Sequence, residues 1–283
     1  MTKSHETSGY FRNGLPYNRL GHGPHILVIF QGLQFENKPL TGLSAWFMPI
    51  MYKFLKQEYT MYIVTRKPGL SDGYSMQNMA DDYAVMIREE FAPPVDVIGT
   101  STGGSIAQHF AADHPDLVRR LVIHSSAYTL GDAARKLQMR VGHLARQRKW
   151  REAWAVLLGF MIPRNGFGKI AVLLGSLLMS FTAPNDPSDL VVTVEAEDNH
   201  DFKDRLAEIT APTLVTGGDQ DPFYSETLFR ETAEGIPNAR LILYAGKGHA
   251  PAGKQFRRDV LSFLMEDMPE TFNTPKADIK SAK

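Results

Sequence analysis

The stretch Val95-Asp-Val-Ile-Gly-Thr-Ser-Thr-Gly-Gly-Ser-Ile-Ala-Gln-His-Phe110 decides the fold. Its apolar run, with Val95, Val97 and Ile98, reads as a buried strand that stops at Gly99. Ile106, Ala107, Phe110 and Ala111 then follow at helical spacing. A strand, a sharp turn and a helix are expected in succession. Within the turn, Gly99-Thr100-Ser101-Thr102-Gly103 fits the pattern Gly-x-Ser-x-Gly, whose small flanking residues let the chain bend tightly enough to hold a serine hydroxyl clear of the sheet. Ser101 is a candidate nucleophile.

Working outward, the same alternation recurs on both sides. Gly9 to Leu20 alternates apolar and polar residues around Asn13-Gly14, a two-residue hairpin signal. His25 to Phe30 reads as a fully buried strand, with Gln31-Gly32-Leu33 at its carboxyl end, where open α/β sheets place their ligands. Trp46 to Glu58 has helical periodicity, Thr60 to Thr65 reads as a strand, Pro68 to Gly73 as a loop, and Met76 to Phe91 as a helix. The helix after Ser101 is expected to end near His114-Pro115, because proline disfavours helical geometry in the residue before it. The strand Leu121 to Ile123 follows.

Strands alternating with helices imply a mostly parallel sheet covered on both faces. The alternation breaks for about seventy residues, in which Trp150 and Trp154 lie four apart on a helical pattern and no strand is evident. A stretch of that length inside a compact domain signals an insertion with structure of its own. The expected organisation is a core formed by residues 1–128 and 207–268, a helical cap over 129–206, and a polar, mobile tail over 269–283. Strand signals resume at Pro212 to Thr216 and at Ala239 to Tyr244, with helices over Ser225 to Glu234 and Lys254 to Met265.

A serine hydroxyl is a poor nucleophile at neutral pH and needs a base within hydrogen-bond reach and an acid to orient that base. Asp221 falls just past the strand at Thr213 to Thr216, and His249 just past the strand at Arg240 to Tyr244. All three groups are thus expected at the carboxyl ends of parallel strands. Asp219 competes for the acid role. The chain order is Ser101, acid, His249.

From about Gly21 to Leu264 the chain resembles the α/β-hydrolase superfamily, in the branch with a helical cap. The resemblance rests on Gly99 to Gly103, on the Gly-x-x-Asp turn Gly218-Asp219-Gln220-Asp221 and on Gly248-His249. It implies an α/β-hydrolase fold, a mostly parallel sheet of the eight-stranded type with helices on both faces and the cap inserted. It favours Asp221 over Asp219 as the acid, with Asp219 bracing the turn. It also implies an oxyanion hole made by the backbone amides of Thr102 and Leu33. The chain departs from the pattern at Gln31-Gly32, where many relatives carry His-Gly; amide donors need no particular side chain, so hydrolysis survives the change.

Gln31 and His124, each at a strand end near Ser101, are candidate pocket residues. The expected activity is hydrolysis of a carboxylic ester of a small to medium, fairly apolar substrate through an acyl-enzyme. The same triad also serves carbon-carbon bond hydrolases, amidases, acyltransferases and cofactor-free perhydrolases. A ligand-sensing protein on this fold is a further alternative, against which the three motifs argue. A serine at this position excludes the branches that use an aspartate nucleophile.

Composition narrows the partners. Lys plus Arg and Asp plus Glu each number 31, so the formal charge is zero and no nucleic-acid footprint is evident. A small-molecule substrate is the expected partner, with the chain a monomer or homodimer. There is no cysteine, which excludes disulfides and thiolate metal sites. Asn199-His200-Asp201 resembles a metal cluster only superficially, since adjacent residues do not converge on one ion unaided. The glycine runs at 99–104 and 246–248 lack the phosphate-loop pattern. No metal and no cofactor are expected. The apolar region from Ala155 to Phe181 is interrupted by Pro163, Arg164, Asn165 and Lys169, leaving runs too short to span a bilayer. It is read as buried helices or a pocket cover, with Met161 and Met179 in its packing, ahead of an interfacial membrane contact. The polar first eight residues have no signal-peptide core, so a cytoplasmic location is expected.

Overall fold

The computed structural model of the protein describes residues 7–41, 50–162, 165–266 and 277–280. Nine strands form one sheet in the spatial order β1-β2-β4-β3-β5-β6-β7-β8-β9. They are β1 (Thr7–Tyr10), β2 (Pro16–Gly21), β3 (His25–Phe30), β4 (Tyr59–Val64), β5 (Val95–Thr100), β6 (Val118–His124), β7 (Thr213–Gly218), β8 (Ala239–Tyr244) and β9 (Ala277–Lys280). The hairpin β1–β2 is antiparallel and β2 pairs antiparallel with β4. Every pairing from β4 across to β9 is parallel. The first eight strands match the expected sheet, and β9 adds to the β8 edge within the stretch read as a tail. The remainder of that stretch, residues 269–276 and 281–283, lies outside the described residues.

The strands alternate faces as a period of two requires. In β3, Val28 and Phe30 join one core while Leu27 and Ile29 join the other. Leu121 and Ile123 of β6 likewise oppose Val122. The first core is closed by α1 (Met76–Glu90), α2 (Thr102–Asp113) and, further along the chain, the helix Glu226–Gly235. The second is closed by Tyr52, Leu55 and the helix Lys254–Met265. The helix expected over Trp46 to Glu58 is shorter than its periodicity suggests. Residues 46–49 lie outside the described residues, 50–52 are helical, and the chain tightens into a 3-10 turn at Lys53–Leu55 before β4.

Between β6 and β7 run four helices, α3 (Asp132–Arg146), α4 (Trp150–Met161), α5 (Gly166–Ser180) and α6 (Ser188–Asp198), and no strand is found among the described residues there. The two helices already placed beyond them become α7 (Glu226–Gly235) and α8 (Lys254–Met265). Two of the ties between cap and core lie near the loops after β3 and β4. Trp154 of α4 stacks on Phe35 at 3.8 Å between ring centroids, over the loop that follows β3. The Asp189 carboxylate of α6 accepts from the Gly69 and Leu70 backbone N–H groups at 2.9 and 2.8 Å. One expectation for the cap fails: the apolar side chains of α5 are not buried, with Phe167 88% and Leu174 60% exposed. The helix turns its small residues inward instead. Gly168 and Ser176 are buried, and Gly175 approaches Leu158 so closely that a Cβ there would lie 3.1 Å from its Cδ1.

At the amino ends of the strands, Asp96 of β5 is fully buried and accepts from Arg119 Nε at 2.9 Å and from the Tyr59 hydroxyl at 2.8 Å. A second Arg119 nitrogen bonds the same carboxylate. The Arg119 side chain is a third exposed and can be hydrated once alone, so Asp96→Ala is expected to lower stability by about 2 kcal/mol, the cost of losing hydrogen bonds to a charged group. Urea unfolding followed by circular dichroism measures this, and a midpoint equal to the parent's would show that the pair contributes nothing.

Candidate active site

The turn after β5 is held by packing that leaves no room for side chains. A Cβ at Gly103 would sit 2.0 Å from the Phe30 carbonyl oxygen, and one at Gly99 would sit 2.6 Å from the Ala107 Cβ. Under that pressure Ser101 adopts φ 52 and ψ −126, a left-handed conformation that a non-glycine residue holds only when its surroundings fix it. Its N–H donates to the His124 carbonyl at 3.0 Å and its own carbonyl accepts from Gly104 N–H at 2.6 Å. Among the described residues the Ser101 hydroxyl itself makes no hydrogen bond.

Asp221 and His249 are brought together. His249 Nδ1 lies 2.8 Å from Asp221 Oδ2, with the two side chains 8% and 0% exposed. Asp221 Oδ1 accepts from the Phe223 and Tyr224 N–H groups at 2.8 and 3.3 Å, which leaves the carboxylate little freedom to turn. Asp219 accepts from Gly246 N–H at 2.7 Å and so ties the β7 turn to the β8 turn. Phe223 lies 4.6 Å from the His249 ring and Tyr224 stacks on it at 6.2 Å. The histidine is linked to the serine turn through the backbone: Ala250 N–H donates to Ser125 Oγ at 2.9 Å, and Ser125 follows the His124 whose carbonyl holds Ser101.

The loop after β3 lies against the same turn. A Cβ on Gly32 would be 3.3 Å from Ser101 Cβ and 3.9 Å from its Oγ. Neither Leu33 N–H nor Thr102 N–H donates to an acceptor among the described residues. Gln31 and His124 are 2% and 0% exposed. The His124 ring packs 4.4 Å from Phe256, and burial, with the nearby His249, lowers its pKa to about 3. Three further polar residues that the sequence reading did not single out surround the turn in the interior: Arg66, Glu197 and Tyr224, each no more than 1% exposed. A charged residue at the end of an apolar strand, and one just after the largely apolar run Leu190 to Ala196, were the signals available for the first two. Among the described residues no three His, Asp or Glu side chains converge in a way that could hold a metal ion.

A family profile described as "Alpha/beta hydrolase family" matches residues 15–258. The chain belongs to this family. Its curated relatives include "Putative carbamate hydrolase RutD" of Serratia proteamaculans, 30% identical over 205 residues, covering 71% of this chain and 76% of that protein. Another is the 2-(acetamidomethylene)succinate hydrolase of Mesorhizobium japonicum, 27% identical over 249 residues, covering 81% of this chain and 82% of that one. Among solved structures, MGS-M2, an alpha/beta hydrolase enzyme from a Medee basin deep-sea metagenome library, superposes with a TM-score of 0.77 at 16% identity, over 94% of this chain and 99% of that chain. At that identity the likeness speaks for the fold alone. The protein is thus an alpha/beta hydrolase, and no helix among its described residues is long and apolar enough to cross a membrane.

His124 and His200, which are buried, and His109, which is partly so, are expected to make the fold acid-sensitive. Burial, the largest cause in each case, lowers the pKa of His109 to about 4 and those of His124 and His200 to about 3. Below the unfolded value of about 6.5, the unfolded chain binds protons that the folded one refuses. Stability is therefore lost as pH falls from about 6.5 towards 4, by up to about 1.4 kcal/mol per pH unit for each histidine. The thermal midpoint is expected to drop across this window, with a shallower slope in His124→Gln. A midpoint unchanged between pH 7 and pH 5 would show that these imidazoles accept protons in the fold.

Proposed function

We propose that the protein is a serine hydrolase in which Ser101 is the nucleophile, His249 the general base and Asp221 the acid that orients it, acting on a carboxylic ester of a small to medium, fairly apolar substrate. The observation that carries this reading is the 2.8 Å contact of His249 with Asp221, tied through Ser125 to a serine in a left-handed turn. With the imidazole proton on Nδ1, directed at Asp221, the Nε2 lone pair is free to take the Ser101 proton. The bond between hydroxyl and base commonly tightens only when substrate is bound.

Ser101 Oγ attacks the carbonyl carbon as His249 accepts its proton, and Asp221 stabilises the resulting imidazolium. The carbonyl oxygen, now negative, is received by the N–H groups of Leu33 and Thr102. His249 returns the proton to the departing alcohol, leaving an acyl-Ser101. It then deprotonates the water that hydrolyses this ester, and the serine is regenerated. The preference for an apolar group is supported by Phe223 beside His249 and by Phe160 of α4 packed on Phe223 at 5.0 Å. The relatives whose names give a carbamate and an acetamidomethylene compound favour a second reading, cleavage of a carbonyl–nitrogen bond by the same three residues.

Short-chain nitrophenyl esters are expected to be turned over, and a fluorophosphonate probe is expected to label Ser101. Ser101→Ala should abolish both, and His249→Ala should lower kcat by roughly 10⁴-fold or more, because the three residues act as a unit. Labelling or hydrolysis that persists in Ser101→Ala would remove the assignment. Parallel rates on matched esters, carbamates and amides decide between the two bonds.

A further inference from the structure

We propose that Arg66 is a positioning residue for the oxyanion site, fixing the Gly32–Leu33 peptide beside Ser101. This rests on the reading above, in which Leu33 N–H receives the oxyanion.

Arg66 lies two residues past the end of β4 and is 1% exposed. A guanidinium in that position has lost its water and needs compensation worth several kcal/mol. Its hydrogen bonds among the described residues all go to one place. Nη1 donates to the Gln31 carbonyl at 2.9 Å and to the Gly32 carbonyl at 3.1 Å, while Nε and Nη2 bond to nothing described. An apolar side chain of similar volume would fill the space at no such cost. What the arginine adds is a cation aimed at two carbonyls of the loop against Ser101.

The Gly32 carbonyl and the Leu33 N–H are the two ends of one planar peptide unit, pointing in opposite directions. Holding the oxygen therefore sets the direction of the N–H. A cation on the oxygen also draws electron density from the amide and makes its N–H a stronger donor, as bonds in a hydrogen-bonded chain polarise one another. The Leu33 N–H has no described acceptor, and Gly32 packs on Ser101. The clamp thus acts on the amide that is to meet the developing charge, without itself touching substrate.

Glu197 completes the arrangement from the other side. It is fully buried on α6, and its Oε1 accepts from Ser105 Oγ at 2.6 Å. Ser105 lies in the first turn of α2, the helix whose first residue is Thr102, the second amide donor. Burial pulls the Arg66 pKa down and Tyr83, Glu197 and Asp189 pull it back up. Burial raises that of Glu197, while Ser105, Thr102, Arg66 and His249 lower it. Arg66 is thus bonded to the loop bearing Leu33, and Glu197 of the cap to the helix bearing Thr102.

The test uses the full chain with a short-chain nitrophenyl ester, and a trifluoromethyl ketone whose serine adduct carries the oxyanion. Arg66→Met is expected to lower kcat by about 10- to 100-fold with KM within about twofold, below the 10²- to 10³-fold loss typical of removing a donor outright. Ketone inhibition should weaken by the same factor, and Arg66→Lys should recover part of both. If Arg66→Met does not fold, Arg66→Met with Glu197→Gln leaves no charge stranded and carries the same expectation. A folded variant whose kcat and ketone affinity stay within twofold of the parent, or whose loss is confined to KM, overturns the proposal and leaves the serine mechanism standing. A parent protein inert to both the ester and a fluorophosphonate overturns that mechanism, and the proposal with it.

Discussion

The left-handed backbone of Ser101 is the constraint on which the rest depends. A non-glycine residue at φ 52 costs on the order of 1–3 kcal/mol and relaxes unless its surroundings prevent it. The restraint comes from three directions. The His124 carbonyl of β6 takes the Ser101 N–H, the close approach of Gly103 to Phe30 ties the turn to β3, and that of Gly104 to Ser126 ties it to the segment after β6. The adjacent strands β3, β5 and β6 are thereby locked in register at their carboxyl ends. The strain at one residue is held by the stability of the whole parallel sheet, which is why a rigid doubly covered sheet suits this kind of turn.

Electrostatics divides the molecule into two levels. Beneath the turn lie charged and polar groups with no access to water: Arg66, Glu197, Ser105, Thr102, Ser126 and Tyr224. Above it the faces are aromatic, with Phe223 against His249 and Phe160 against Phe223. In a low-dielectric surrounding, fixed dipoles and charges act on a developing oxyanion far more strongly than they would in water. In the proposed mechanism the apolar upper level keeps that surrounding dry, while the lower level supplies the fixed charges. Neither level would serve without the other.

The fold was legible because its signals are local and periodic. The runs at 25–30 and 239–244 are strands as read, the strand read as stopping at Gly99 runs one residue further to Thr100, and Lys254–Met265 is a helix as read. Gly-x-Ser-x-Gly was legible for the same reason, since a tight turn forces small residues at fixed offsets. The second level was not. Arg66 and Glu197 are 131 positions apart, and nothing in a strand-end arginine or a lone glutamate states that both will be buried around one turn. The outward face of α5 was misread for a related reason. Periodicity tells which residues share a side, and not which side meets a neighbour; there Gly175 makes the close approach to α4, and Gly168 and Ser176 are the buried residues of the helix.

The placement of Glu197 shows how an inserted cap can matter beyond shaping a pocket. A cap joined only by apolar contacts, as Trp154 on Phe35, could shift with little effect on the groups below it. A buried glutamate is different, because moving it away from Ser105 would leave both groups without a hydrogen-bond partner in a dry interior, at a cost of about 1–3 kcal/mol each. Asp189 adds a second polar tie from the same helix, to the loop three residues beyond Arg66. Helix α6 is therefore fixed to the core by directional bonds, while α5, with its apolar residues turned outward, has no comparable restraint among its described contacts. Variation in the cap is cheapest at α4 and α5 and most expensive at α6. The cap can thus vary at α4 and α5 without disturbing the bonds that Glu197 and Asp189 make to the core.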